Sequence, residues 1–367
     1  MSKARIGVIG AGWWATEYHI PNLKKRQDVE LVSVCKLEQD QLDFVKNKFN
    51  FQFASTDYNE MLSLSPLDGV VIASPHFAHY ENAKAALKKG CHVLIEKPMT
   101  TNSSDAEDLF KLAKEVKKEI LVPNGFNFTH FMPKAEQYIK DGIIGEIKHI
   151  DAAFSSSLVD LFQGIPLSES NDHTFKPLAS TWSDPNKGGG YGWGQLSHMF
   201  GGVFKISNLT AEKAFCFSVP SPTNVDYTNA ISVRFSNGAT GAFSGCAFVP
   251  KDFGGTFYIT VHGTKGTLYL DTEIKRERLF IRLNDGNEKK DEISEKQKTV
   301  AISKNTDNKA SKFFSYLIVL IISFVALIIL VDTLKTPLIN VFPDLEIILF
   351  SLFETLQDIK LFIIDLV

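Results

Sequence analysis

Between residues 5 and 120 the chain alternates short β-branched apolar runs with helix-length amphipathic segments. The runs read RIGVIG, VELVSVC, GVVIAS, HVLIE and EILVP. Parallel neighbours need a crossover of helix length between them, so this alternation predicts α/β architecture with a doubly wound parallel sheet. The runs at 69–73 and 92–95 are apolar on both faces, as strands covered by helices on both sides must be. Ligands of such sheets lie outside the carboxyl ends of the strands, so the loops after the runs are the places to look for chemistry.

The first such loop is Gly10-Ala11-Gly12-Trp13-Trp14-Ala15, between a strand and a helix. It matches the dinucleotide fingerprint. The first glycine permits the tight turn, the second admits a pyrophosphate to the backbone, and Ala15 lets helix pack on strand. At the end of the second strand, where NAD enzymes usually carry an acidic side chain, stands Cys35-Lys36-Leu37. An ammonium there favours the 2′-phosphate of NADP, while nearby Glu38 offers the carboxylate that NAD would use; Lys36 as a merely solvated cation is the plain alternative. Ser74-Pro75-His76 and His79 follow the third strand, and Glu96-Lys97-Pro98 the fourth.

Beyond about residue 126 a helix near Pro133–Lys140 is followed by strand-like runs starting at Ile147, Ala211, Ala230, Thr240, Thr256, Thr267 and Leu279. Ser236-Asn237-Gly238 and Gly263-Thr264-Lys265-Gly266 supply hairpin turns, so a second, mostly antiparallel sheet is expected. A long polar insertion, Pro166 to Gly192, interrupts it and runs into GGGYGWGQLSH, Gly188 to His198. Loops of this length in compact domains are usually functional or disordered.

The net charge of −3 provides no basic field for nucleic acid. Small-molecule partners are expected instead. Cys35, Cys91, Cys216 and Cys246 lie far apart without a CxxC pair, which argues against a zinc site or a disulfide framework and fits a reducing compartment. No metal is expected.

GVIGAGWWA, SPHFAHYENAKAALKKGCHVLIEKP and the downstream GGG…H segment together resemble the Gfo/Idh/MocA family of NAD(P)-dependent oxidoreductases, over roughly residues 3–283. The resemblance implies a Rossmann domain, a second domain whose open sheet binds substrate and often forms an oligomer interface, and hydride transfer between nicotinamide and a hydroxyl-bearing carbon of a sugar, cyclitol or sugar nucleotide. It makes Lys97 the active-site lysine, sets Pro98 after a cis peptide against the nicotinamide, and makes His198 the acid/base histidine, a role suited to an imidazole. Gly10, Ala11, Gly12, Trp13, Trp14, Lys36, Ser74, Pro75, His79, Glu96, Lys97 and Pro98 are the expected cofactor contacts. One departure stands out: the family's aspartate position is Gly194, with Gln195 beside it. Tyr191 and Trp193 are candidates for a wall against a sugar ring. Asn124 and Asn127, where an arginine is common, are candidates for substrate or nicotinamide contacts.

These readings divide the chain into 1–123, 124–284, a charged linker 285–312, an uncharged run 313–331 and a tail 338–367. The run FFSYLIVLIISFVALIILV has 19 residues without a charge, about 28 Å of helix at about 1.5 Å per residue, close to a bilayer core. Lys309 and Lys312 precede it and the N-terminus shows no export signal, so a cytoplasmic catalytic part anchored by one span is expected. In the tail, Leu345, Leu349, Leu352, Leu356, Ile359, Ile363 and Leu366 form one helical stripe. A disrupted reading frame is the other origin for this end. The rival function is a nucleotide-binding membrane scaffold that lost turnover with the aspartate.

Overall fold

The computed structural model describes residues 2–251, 255–271 and 278–291. The expected span at 313–331 and the helical tail at 338–367 lie outside them. Among the described residues no helix is long and apolar enough to cross a membrane.

Six parallel strands make the first sheet: β1 (Ala4–Ile9), β2 (Val29–Cys35), β3 (Phe53–Ser55), β4 (Gly69–Ile72), β5 (His92–Ile95) and β6 (Ile120–Leu121). Their order is β3-β2-β1-β4-β5-β6, so the sheet reverses direction of growth between β1 and β4. The two-residue alternation of a strand sends neighbours to opposite faces. Ile9, Val70, Ile72, Val93 and Ile95 join one buried cluster with Ala83, Ala86 and Leu87 of the helix His79–Lys88. Val8, Val34 and Val71 join another with Ala15, Ile20, Leu42 and Val45. Helices on both faces explain why these runs are apolar throughout. The short edge strand β3 was invisible in the sequence because FAS carries no apolar run.

The second sheet contains β7 (Ile147–Ser155), β8 (Ala211–Pro220), β9 (Asp226–Phe235), β10 (Thr240–Cys246), β11 (Thr256–Gly263), β12 (Gly266–Asp271), β13 (Arg278–Leu283) and β14 (Glu288–Asp291). It is ordered β14-β13-β12-β11-β7-β10-β9-β8. All its pairings are antiparallel except β7 with β10, which run parallel. Strand β14 pairs with β13, so the sheet extends into the stretch read as linker. Helices Phe131–Lys140 and Ser197–Ser207 cover one face, where Met132, Ala135, Met199 and Val203 meet Ile150, Phe154, Phe257 and Ile259. Gly202 lets the second helix sit close: a Cβ there would be 3.0 Å from Met132 and 3.1 Å from Ile259. On the other face Ala230, Ser232, Arg234, Thr240, Ala242, Ser244 and Tyr258 are exposed. Both sheets belong to one compact unit, Met1–Ile293.

Ile259 is fully buried at the centre of this second core. Replacing it by alanine removes buried methylenes that helix and sheet cannot both close over, and a loss of about 2–5 kcal/mol is expected. A urea titration followed by circular dichroism checks this.

Candidate active site

Gly10 has φ +80°, and a Cβ on it would run into the backbone of Ser74. The turn after β1 and the loop after β4 therefore touch backbone to backbone, which only glycine permits. Gly12 is different: beyond Gly10 O at 4.0 Å, nothing stands near the direction of its missing Cβ. Ala11 and Ala15 are fully buried under the turn, and Thr16 Oγ1 donates to Gly12 O at 2.9 Å. A buried floor with an unobstructed backbone above it fits a dinucleotide pyrophosphate.

The long insertion, instead of hanging free, reaches across to this half. Trp13 Nε1 donates to His173 Nδ1 at 2.7 Å, Thr174 N donates to a Glu17 carboxylate oxygen at 2.9 Å, and Lys48 Nζ donates to Thr174 Oγ1 at 2.8 Å. The Phe175 ring lies 6.2 Å from that of Phe44 and 5.1 Å from Lys36 Nζ. Lys36 also pairs with Glu38 at 2.8 Å, and its side chain is only 12% exposed. It is thus no solvated surface cation. Trp14 packs on Tyr18, ring centroids 4.1 Å apart, and remains 36% exposed.

Two loop histidines take separate places. His79 is fully buried, its ring nitrogens 2.8 Å from the carbonyl oxygens of Pro98 and Ser74. This corrects its expected role as a cofactor contact: it fastens the loop after β4 to the loop after β5. Ser74 Oγ likewise faces inward, donating to Asn82 Oδ1 at 2.7 Å, while Pro75 precedes the short turn His76–Ala78. His76, whose loop alone had marked it, bonds through Nδ1 with Gly188 O at 2.8 Å and stacks edge-on with Trp182. Burial, and after it the charges of Lys97 and His79, push its pKa down to about 3.

Glu96, Lys97 and Pro98 follow β5, and the Lys97-Pro98 peptide is cis. Glu96 sits 2.7 Å from His19 Nε2 and accepts from Lys97 N at 3.1 Å. Burial works to raise its carboxyl, but the His19 hydrogen bond and the His19 and Lys97 charges hold it below the usual carboxylate range. Lys97 Nζ donates to Gly194 O at 2.7 Å and lies 5.4 Å from the Trp182 ring centre. Burial pushes Lys97 down to about 8, with Glu96 acting the other way.

The glycine run is shaped by close neighbours. A Cβ at Gly189 would lie 2.5 Å from Trp182 O, and one at Gly190 (φ +99°) would overlap Asp226, whose carboxylate accepts from Gly192 N at 2.7 Å. Tyr191 is fully buried, its hydroxyl donating to Phe154 O at 2.9 Å. It is a core residue, so the expected sugar wall reduces to Trp193, which is 42% exposed. Gln195 is half-buried in the same turn. His198 stands edge-on between Phe126 and Phe154, centroids 5.6 and 6.1 Å away. Burial, then the Lys97 charge, pushes it well below the usual imidazole range.

On the helix that carries His198 and on the segment packed against it, several buried polar atoms have no protein partner. They include His198 Nδ1, Ser197 Oγ, Asn124 Oδ1 and Asn127 Oδ1. Asn127 Nδ2 donates to Gly201 O at 3.2 Å, holding its turn against the helix that carries His198. Orphaned buried groups cost stability unless something polar meets them. His198 Nδ1, in a ring that feels the Lys97 charge, is thus a candidate for meeting a polar ligand. Trp182 and His173 escaped the sequence reading, since neither falls in a motif; the insertion's length was the one signal.

Gly12→Val should leave the melting temperature unchanged, because its Cβ direction is open, yet weaken dinucleotide binding by roughly tenfold or more. Calorimetric titration with NADH and NADPH measures it.

The description "Oxidoreductase family, NAD-binding Rossmann fold" matches residues 4–124, and "GFO/IDH/MocA C-terminal domain" matches residues 132–269. D-Glucoside 3-dehydrogenase of Escherichia coli K12 is 30% identical over 146 residues, 40% of this chain and 42% of that protein. Myo-inositol 2-dehydrogenase of Thermotoga maritima is 31% identical over 144 residues, 39% of this chain and 42% of that protein. These matches therefore span less than half the length of either relative. An oxidoreductase domain protein from Kribbella flavida superposes with a TM-score of 0.68 at 20% identity over 80% of both chains, a likeness of fold. Fingerprint turn and both matched domains lead to one conclusion: this chain belongs to the Gfo/Idh/MocA family of oxidoreductases.

Proposed function

We propose that the chain is an NAD(P)-dependent dehydrogenase or reductase acting on a hydroxyl or carbonyl carbon of a sugar, cyclitol or sugar nucleotide. The observation that carries this most strongly is the Lys97 amine, buried at the carboxyl end of β5, whose charge acts on His198, a ring with an unpartnered Nδ1. The glycine turn 10–12 would hold the pyrophosphate, and Lys36 with Glu38 would meet the adenosine ribose. A nicotinamide bound there supplies a hydride acceptor for alcohol oxidation, or a donor for the reverse.

The chain's own groups handle the proton. With its pKa near 8, Lys97 releases its proton in mildly alkaline solution and can then accept one from a substrate hydroxyl; below that pH it is an ammonium able to donate. His198, lowered further, is neutral across this range and offers an acceptor or a hydrogen bond to the same oxygen. Trp193, at the exposed rim, would pack on the apolar face of a sugar ring. Sugar and cyclitol dehydrogenases among the relatives support the substrate class. NADP is the favoured cofactor because Lys36 is the cation at the ribose edge.

Two further elements complete the reading. The uncovered face and edge of the second sheet, with Phe215 60% and Phe217 70% exposed, would join copies of the chain into a homo-oligomer. The uncharged run 313–331, preceded by Lys309 and Lys312, would anchor the unit from the cytoplasmic side. Recovery of the full chain in the soluble fraction after a carbonate wash would overturn the anchor.

A panel of sugars and cyclitols assayed with both cofactors tests the activity. His198→Ala should lower turnover by about 100-fold or more while dinucleotide binding persists. Oxidation should rise with pH through about 8 as Lys97 is deprotonated, and reduction should fall over the same interval. Dinucleotide binding with no turnover across the panel would sink the enzymatic reading. For the cofactor, NADPH should bind more tightly than NADH, and Lys36→Asp should reverse that order; equal affinities in the wild type would rule out Lys36 as the selector.

A further inference from the structure

The insertion that reaches the dinucleotide turn at residues 173–175 continues into the short helix Ala179–Trp182, whose last residue is Trp182. The Trp182 ring lies 5.2 Å from His76, 6.2 Å from Phe162 and 5.4 Å from Lys97 Nζ, all measured to ring centres. Its carbonyl accepts from Gly190 N at 3.0 Å, which fixes its backbone to the glycine run. A Cβ on Gly194 would overlap the Cζ3 edge of the Trp182 ring. Position 194 therefore has no room for a side chain and can offer Lys97 only its carbonyl oxygen, 2.7 Å away.

We infer that Trp182 is a positioning residue for Lys97: it fills the volume that a side chain at position 194 would need and holds the amine between an uncharged ring face and the Gly194 carbonyl. The catalytic meaning of this arrangement rests on the function proposed above; the packing relation does not. The titratable groups that act on Lys97 or feel its charge are Glu96, His76, His79 and His198. Glu96 is the carboxylate among them, and His19 already occupies it. Trp182 excludes a second carboxylate from position 194. Burial thus prevails, and the amine gives up its proton near pH 8.

The full chain, in wild-type form and as Gly194→Asp, Trp182→Ala, Trp182→Phe and the double variant Gly194→Asp/Trp182→Ala, is labelled with acetic anhydride from neutral to alkaline pH. Acetylation of Lys97 is read by mass spectrometry, with melting temperature and calorimetric NADPH binding measured alongside. Gly194→Asp alone should melt earlier than wild type, and removing the ring should restore much of that loss. In the double variant a carboxylate beside the amine raises its pKa by about 1–3 units, so Lys97 should label roughly tenfold or more slowly near pH 8. Trp182→Phe should keep the wild-type profile. The inference is overturned if the double variant labels as wild type does, or if Gly194→Asp costs the same stability with and without the ring. Loss of NADPH binding in the wild type would instead defeat the proposed function, leaving the labelling to decide the place of Trp182.

Discussion

The approach of Gly10 to the Ser74 backbone, at the point where the first sheet reverses its order, is the contact on which the rest of the site depends. Strands β1 and β4 are direct neighbours there, and each must turn away without filling the crevice between them. A side chain at residue 10 would force the two loops apart. His79 in turn reaches both the Ser74 and Pro98 carbonyls, so the loops after β4 and β5 are fixed together. Lys97 inherits its position from that fastening.

A second construction comes from the insertion between β7 and β8. It bonds to Trp13, Glu17 and Lys48 on the Rossmann half and to the glycine run on the other, bridging the two sheets. The result is an amine that faces a tryptophan ring and the Gly194 carbonyl. Burial disfavours the ammonium, whereas the Glu96 carboxylate favours it. The balance leaves a group that can change protonation in mildly alkaline water.

Much of the fold was legible because its signals are local. Period-two apolar runs covered on both faces and the fingerprint turn needed only neighbouring residues to be read. Lys97 in its EKP motif and His198 after the glycine run are local patterns too, and their catalytic roles are proposals. What escaped depends on distant pairings. Tyr191 looked like a substrate wall beside Trp193, yet its hydroxyl finds Phe154 O and the ring is buried. His79 looked like a cofactor ligand until its two carbonyl partners appeared. Lys36 could be weighed against Glu38 in the sequence, but Phe175, far along the chain, could not. Gly194 read as a lost aspartate; the ring that takes its space is carried by residue 182.

The two sheets differ in how many of their faces are covered, and this sets how each can change. In the first, every residue of β4 is buried, so a drift in any side chain disturbs one helical layer or the other. In the second, β11 alternates: Phe257, Ile259 and Val261 are locked against helices while Tyr258 between them is exposed. Sequence variation can therefore accumulate on one side of that sheet with the core untouched. A change on the outer face meets solvent or another surface, whereas a change on the inner face meets the helix that carries His198.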